Sequence, residues 1–178
     1  MANSNKPELD VWDSCCLIGL FNNEPDKVPA LLAQTPLFET GKAKLGLPIA
    51  VLDEVVTLPD GSSAETKLRQ FLDNSYVLRL QANEEVSFLA KNLRMRFDGQ
   101  RAPDVMAKAL LAGVPRDQAK KLGMKDSEIL ATAIFFKADR LTTYDPFLLF
   151  LGEHYIQKET GMVIAKPLSP FLNFPPNK

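Results

Sequence analysis

Apolar residues along the chain form short runs that predict β-strands within a sheet. The runs lie at residues 9–12, 47–51, 76–80, 141–143 and 161–167. They are mostly apolar rather than strictly alternating, which is typical of parallel strands that are covered on both faces. The run at 47–51 leads directly into residues 52–58, and residues 35–46 are predicted to be a connection.

Helical spacing fills the intervals between these runs. The clearest helix begins near Glu84, and its apolar stripe contains Val86, Leu89, Ala90, Leu93 and Phe97. Two short helices are predicted at 103–113 and 115–123, since each segment begins with proline and ends with glycine. Strands separated by helices predict an α/β fold, a three-layer α/β/α sandwich with a mostly parallel sheet of four or five strands.

The size and composition of the chain predict one domain that spans residues 1–178. Its 178 residues are 46% hydrophobic and 24% charged, with no internal repeat or linker. A helical extension is expected at about 98–124. A proline-rich tail at 167–178 contains enough apolar residues that we expect it to pack on the domain or on a second copy of the chain. No signal peptide or membrane-spanning segment is recognisable, so a cytoplasmic protein without membrane association is expected.

Cysteine and histidine are too few to support several common kinds of site. Cys15 and Cys16 are neighbours that cannot easily bridge each other, and they lack zinc-ligand spacing, so two buried thiols are predicted. His154 is the only histidine and lies in a helical segment, which favours a surface or packing role. A Ser/His or Cys/His nucleophilic pair is therefore not expected.

Four acidic residues follow a strand or begin a helix: Asp13, Glu54, Asp126 and Asp145. In an open α/β sheet such positions meet at the carboxyl edge of the strands, where ligands bind. Clustered carboxylates raise one another's pKa values and require a counter-charge. A hard divalent cation such as Mg²⁺ or Mn²⁺ would supply it, and an all-oxygen ligand set is typical of phosphoester chemistry.

Simpler structural roles remain open for two of these residues. Asp145 precedes Pro146, the pattern of a helix N-cap followed by proline at the first helical position. Asp126 could cap its own helix in the same way. Asp53 is the alternative to Glu54 for the second acidic position.

Four segments in this order carry a family resemblance: VWDSCCLIGLF, IAVLDEVV, KDSEILATAIFFKADRLTTYDPF and GMVIAKP. They resemble the acidic motifs and closing strand of the PIN-domain family of metal-dependent ribonucleases, over residues 9–167. The resemblance implies that Asp13, Glu54, Asp126 and Asp145 hold Mg²⁺ or Mn²⁺, with Thr143 as a polar neighbour. It also implies RNA as substrate and, for the many family members that are toxins, an antitoxin partner.

The chain departs from the family pattern at two places. Cys15 stands where many relatives have an asparagine, so one hydrogen bond near the site is expected to be lost. The region 98–124 is longer than the usual connection and is expected to shape access by substrate or partner.

Two other functions compete with that of a nuclease. A phosphoacceptor receiver domain also places acids near Asp13 and Asp53 and a lysine before proline, here Lys166, but the interval from Asp53 to Lys166 is too long for that fold. A PIN-like scaffold or RNA-binding module that does not cut RNA, and acts through its surface or tail, stays open. A homodimer is a separate candidate assembly.

Charge does not by itself indicate a nucleic-acid binder, because the formal net charge is −1. Without the four proposed ligands, the rest of the chain would carry a net charge of +3. One run of cations contains Lys91, Arg94, Arg96 and Arg101, and a second contains Arg116, Lys120, Lys121 and Lys125. Such runs are commonly solvated helix faces. Beside the acidic edge they would hold RNA phosphates, and the sequence predicts a single-strand-selective or structure-selective endoribonuclease.

Overall fold

The computed structural model describes residues 6–56, 61–98, 100–119 and 121–167, with residues 61–64 described by their backbone alone. The predicted packing of the proline-rich tail concerns residues outside these ranges. Within them, no helix is both long enough and apolar enough to cross a membrane.

A five-stranded parallel sheet forms the centre of the protein, in the order β3-β2-β1-β4-β5. Its strands are β1 (Glu8–Trp12), β2 (Ala43–Pro48), β3 (Val77–Leu80), β4 (Arg140–Thr142) and β5 (Val163–Ala165). Helices cover both faces, which confirms the predicted fold class. The strand order differs from the 2-1-3-4-5 order of receiver domains, so the receiver-like alternative is wrong at the level of the fold.

Ten α-helices and one π-helical turn connect and cover the strands in the described part of the chain. They are α1 (Ser14–Phe21), α2 (Val28–Leu32), α3 (Thr35–Glu39), α4 (Ile49–Val56), α5 (Gly61–Leu72), α6 (Glu84–Arg96), α7 (Pro103–Leu111), α8 (Met124–Phe135), α9 (Pro146–Leu151), the π-helical turn (Gly152–Ile156) and α10 (Gln157–Thr160). The core lies between the sheet and these helices, and its largest fully buried side chains include Phe97, Leu17, Ile129 and Leu141.

The second strand begins earlier than the sequence predicts. β2 starts at Ala43, within the segment predicted to be a connection, and the residues from Ile49 onward form α4 instead of a strand. The local pattern does not predict this strand because neither Lys44 nor Gly46 is typical of a buried apolar run. Gly46 is required by packing, because a Cβ atom there would lie 2.8 Å from Leu80 Cδ1 and 3.0 Å from Val11 Cγ2.

The extension between α6 and α8 contains one helix, not two. α7 forms as predicted, but residues 115–119 make turns, in which the amides of Gln118 and Ala119 both bond to the Pro115 carbonyl. The second predicted helix is therefore wrong within the described residues. An isolated antiparallel bridge joins Asp98 to Lys121, so the two ends of the extension lie side by side.

Candidate active site

Asp13 is held at the carboxyl end of the central strand. It follows β1 directly, and its amide continues the ladder by donating to the Thr142 carbonyl at 3.0 Å. It is also the N-cap of α1, since its Oδ1 accepts from the Ser14 amide at 2.7 Å. The side chain of Asp13 is buried, and Oδ2 accepts a hydrogen bond from Thr143 Oγ1 at 2.7 Å.

Thr143 joins two of the predicted site residues. Its buried hydroxyl donates to Asp13 Oδ2 and accepts from the Asp145 amide at 2.9 Å. β4 pairs with β1, so the residue after β4 lies beside the residue after β1. The hydroxyl therefore fixes the spacing between the first and fourth acidic positions.

Cys15 keeps a hydrogen bond that we expected to be lost. Its Sγ lies 3.1 Å from Asp13 Oδ2, as donor, and 3.2 Å from the Tyr144 amide, as acceptor. Cys15 is only partly buried, whereas Cys16 is fully buried and its thiol donates to the Thr142 carbonyl at 3.3 Å. Both thiols are free, so the prediction of two buried thiols is correct for Cys16 alone.

Asp145 is an N-cap, as one of its two predicted roles requires. Its Oδ1 accepts from the Leu148 amide at 2.7 Å, and Pro146 occupies the first turn of α9. Partial burial raises the pKa of Asp145, and the negative charge of Asp13 raises it further. The same carboxylate thus caps a helix and faces the first acidic residue.

Asp126 is not the N-cap of its helix, contrary to the simpler alternative. Gly123 is the N-cap of α8, and Asp126 lies in the first turn, where its carboxylate accepts from the Gly123 amide. A Cβ atom at Gly123 would lie 2.5 Å from Asp126 Oδ2, so glycine makes room for this contact. Burial raises the pKa of Asp126 to about 6, and the charges of Asp13, Asp145 and Glu54 add to the shift.

Glu54 and Asp53 lie in the same turn of α4 but have different surroundings. Glu54 is half-buried, and its charge acts on Asp126. Asp53 is exposed, and its Oδ2 lies 3.8 Å from Lys125 Nζ. Because α4 starts at Ile49, Glu54 belongs to the second helical turn and not to the end of a strand.

The four carboxylates act on one another electrostatically without forming a ready-made metal site. No group of three or more His, Cys, Asp or Glu side chains in the described ranges is arranged to hold a metal ion. The donor set nevertheless fits a hard cation, since it consists of oxygen atoms at the carboxyl edge of a parallel sheet. The crowding that raises the pKa of Asp126 is the repulsion that such a cation would relieve.

Asp10 is a buried carboxyl group that the sequence reasoning missed. It lies within β1, where its Oδ1 accepts from Thr142 Oγ1 at 2.7 Å, and Arg140 Nε donates to the same hydroxyl at 3.2 Å. Burial raises the pKa of Asp10 to about 7, against the lowering effects of Thr142 and Arg140. The sequence signal that could have identified Asp10 is the presence of an aspartate within an otherwise apolar strand.

His154 lies outside this group of residues. It is exposed, and its ring centroid lies 4.7 Å from that of Phe150. The predicted surface or packing role is consistent with this position.

Comparison with known proteins bears on the fold. No protein-family model matches the sequence, and no curated protein matches it. A chain of the crystal structure of VapBC2 from Rickettsia felis bound to a DNA fragment from their promoter does match, with a TM-score of 0.53 and 16% identity. The alignment covers 89% of this chain and 97% of the other. At this identity the likeness shows the fold alone, a parallel α/β sheet with helices on both faces.

Proposed function

We propose that the protein is a PIN-type endoribonuclease that hydrolyses RNA phosphodiester bonds with Mg²⁺ or Mn²⁺. The main support is the environment of Asp126. Its side chain is partly buried, and the negative charges of Asp13, Asp145 and Glu54 act on it. Uncompensated carboxylates of this kind cost stability, and a divalent cation with oxygen ligands compensates them. The position at the carboxyl edge of a parallel sheet is where open α/β folds bind ligands.

The chain's own residues would hold the ion from several elements of the fold. Asp13 is fixed by the Ser14 amide and the Thr143 hydroxyl, and Asp145 is fixed by the Leu148 amide. Glu54 and Asp126 would contribute from α4 and α8, where the Gly123 amide already contacts Asp126. When bound, the cation lowers the pKa of an attacking water and offsets negative charge on the leaving oxygen.

A non-cutting PIN-like scaffold is the second candidate. It is favoured by one observation, that no metal-ligand group is already assembled within the described residues. Such a protein would bind RNA equally well with and without a divalent cation.

Metal removal distinguishes the two functions. We expect purified protein to cleave single-stranded RNA with Mg²⁺ or Mn²⁺ and to stop when a chelator is added. The melting temperature should rise when Mn²⁺ is added to metal-free protein, because the ion binds the folded state. Undiminished cleavage in chelator would exclude the proposed mechanism, and metal-independent binding without cleavage would favour the scaffold.

An antitoxin partner is part of the proposal, resting on the resemblance and on the fold match to VapBC2. Expression of this chain alone should arrest growth of a bacterial host. Co-expression with the product of the adjacent small reading frame should restore growth and yield a complex in the cytoplasm. Normal growth when the active protein is expressed alone would contradict a toxin role but not the nuclease.

A further inference from the structure

A groove between α6 and the start of α8 contains an excess of positive charge. Its volume is about 520 Å³. Four cations line it, Lys91, Arg94, Arg101 and Lys121, against a single carboxylate, Asp98. We call it the α6–α8 groove.

Helical spacing and the extension together build this groove. Lys91 and Arg94 are three residues apart on α6 and therefore project from one face of the helix. The bridge between Asp98 and Lys121 brings the far end of the extension to the same place. Asp98 Oδ1 accepts from the Gln100 amide at 3.0 Å, so this carboxylate is already used in the turn.

Among the described residues, no carboxylate lies within ion-pair distance of the four groove cations. Arg96, from the same run of the sequence, differs because it is bound by both of its terminal nitrogens to Glu159. The fold therefore divides a run of cations that looks uniform in the sequence. Arg96 serves a structural contact, and the groove cations are available to an anion.

The groove and the candidate active site both include residues of the first turn of α8. Met124, which is 70% exposed, lines the groove from the first residue of α8. Asp126 is two residues further along the same turn and belongs to the carboxylate group. The first turn of α8 therefore separates an anion-attracting surface from the proposed metal-binding edge.

An aromatic side chain extends this surface along α6. Phe88 is 67% exposed and lies three residues before Lys91 and seven before Met95, on the same side of the helix. Exposed aromatic rings beside cations are the combination with which proteins bind single-stranded nucleic acid, because bases stack on the ring while cations contact phosphates.

We infer that the α6–α8 groove binds the phosphate backbone of single-stranded RNA, with Phe88 as a stacking surface for a base. The inference rests on the proposed ribonuclease function and adds a path for the substrate to it. The net positive charge of the groove favours a polyanion over an apolar segment of a partner protein.

The test compares two charge reversals of equal size. Lys91→Glu with Arg94→Glu alters the groove, whereas Lys42→Glu with Lys137→Glu alters exposed cations that precede β2 and β4, at the opposite edge of the sheet. Affinity for a fluorescent single-stranded RNA is measured by anisotropy in chelator over a series of salt concentrations. The groove variant should bind at least tenfold more weakly, and its log–log salt slope should fall by about 1.4, since roughly 0.7 is lost per phosphate contact.

The aromatic contact is tested separately. Phe88→Ala should lower affinity for the same RNA by about fivefold or more, and Phe88→Tyr should retain it. Thermal unfolding of all variants checks that each is folded.

The outcomes separate this inference from the proposed function. If the parent binds RNA through the groove but never cleaves it, the inference stands and the nuclease fails. If the parent cleaves RNA and the groove variant binds and cleaves like the control, the groove inference is overturned. Loss of a protein partner with unchanged RNA affinity would identify a docking site for that partner and would also overturn the inference.

Discussion

Asp10 in the central strand and the four carboxylates near the carboxyl edge of the sheet differ in the charges that surround them. Asp10 is buried beside Thr142 and Arg140, so hydrogen bonding and an internal cation favour its charged form. Asp126 is partly buried beside three other carboxylates, all of which disfavour its charged form. Burial is the largest cause of the raised pKa in both. The comparison shows that burial outweighs the favourable partners of Asp10, whereas at Asp126 the repulsion of neighbouring carboxylates adds to burial, and only this repulsion is of the kind that the proposed cation would relieve.

Removing a carboxylate from the acidic edge should have the strongest effect on activity. Asp126→Asn and Asp145→Asn should each lower RNA cleavage by about a thousandfold, because each variant removes charge at the proposed metal site. Asp145→Asn should change stability little, since asparagine caps α9 about as well as aspartate does. Asp126→Asn should not destabilise the metal-free protein, because it relieves repulsion among the carboxylates. Cleavage rates with Mn²⁺ and thermal unfolding are measured together.

Asp10→Asn is the matched control for these two variants. It removes a carboxylate from the same sheet, and its cleavage rate should stay within a few-fold of the parent. If Asp126→Asn and Asp145→Asn also cleave normally, both aspartates are structural and the nuclease proposal fails.

The second prediction concerns pH. The pKa of Asp10 is about 7 in the folded protein and about 4 when unfolded, so the folded state binds the extra proton between these values. The stabilising contribution of Asp10 is therefore full below pH 4 and is lost as the pH rises to 7. The free energy of unfolding falls by on the order of 4 kcal/mol over this range.

Urea unfolding of metal-free protein between pH 5 and pH 8 measures this effect. Asp10→Asn should flatten the curve, since asparagine still accepts from Thr142 and does not titrate. Asp126→Asn should remove a smaller part of the pH dependence of the unfolding free energy. That part should end near pH 6, in line with the pKa of Asp126. Parallel curves for the parent and Asp10→Asn would show that Asp10 does not titrate in this range.

Two neighbouring threonines each bond one of the contrasted carboxylates, and removing their hydroxyls should have weaker effects. Thr142→Val and Thr143→Val each remove a buried hydroxyl that bonds a carboxylate, so each should destabilise the fold by about 1–3 kcal/mol. Only Thr143→Val should also lower cleavage, by about tenfold, because Thr143 fixes Asp13 and Asp145. Thr143→Ser should restore the rate. Equal cleavage by both valine variants would remove Thr143 from the site.

The parts of the fold that sequence predicts well are those in which a single local pattern dominates. The apolar stripe of α6 and the apolar run of β1 are of this kind, and both form close to the predicted positions. β2 was misplaced because Lys44 and Gly46 serve tertiary contacts. Lys44 Nζ reaches the Ser75 carbonyl at 3.3 Å, and Gly46 avoids a clash with Leu80. Neither of these two contacts can be recognised from the local sequence pattern.

In the candidate site too, local sequence patterns are predictive and tertiary contacts are not. Asp145 was identifiable as a cap because Pro146 follows it, and the acids could be placed at one edge from topology alone. The cap of α8 could not be assigned to Gly123, since a glycine N-cap has no side-chain signal of its own. Asp10 was overlooked because its partners, Thr142 and Arg140, are distant in sequence and meet it only through the register of β1 and β4.

The bridge between Asp98 and Lys121 has a consequence for how this protein could diverge. A segment whose two ends touch can lengthen at modest cost, because the entropy of loop closure grows only with the logarithm of its length. The exposed turn at Leu111–Gly113 lies far along that segment from both bridge residues. Insertions there would leave α6, α8 and the acidic edge in register, so under the proposed function the substrate preference would change by insertion while the proposed metal ligands keep their positions.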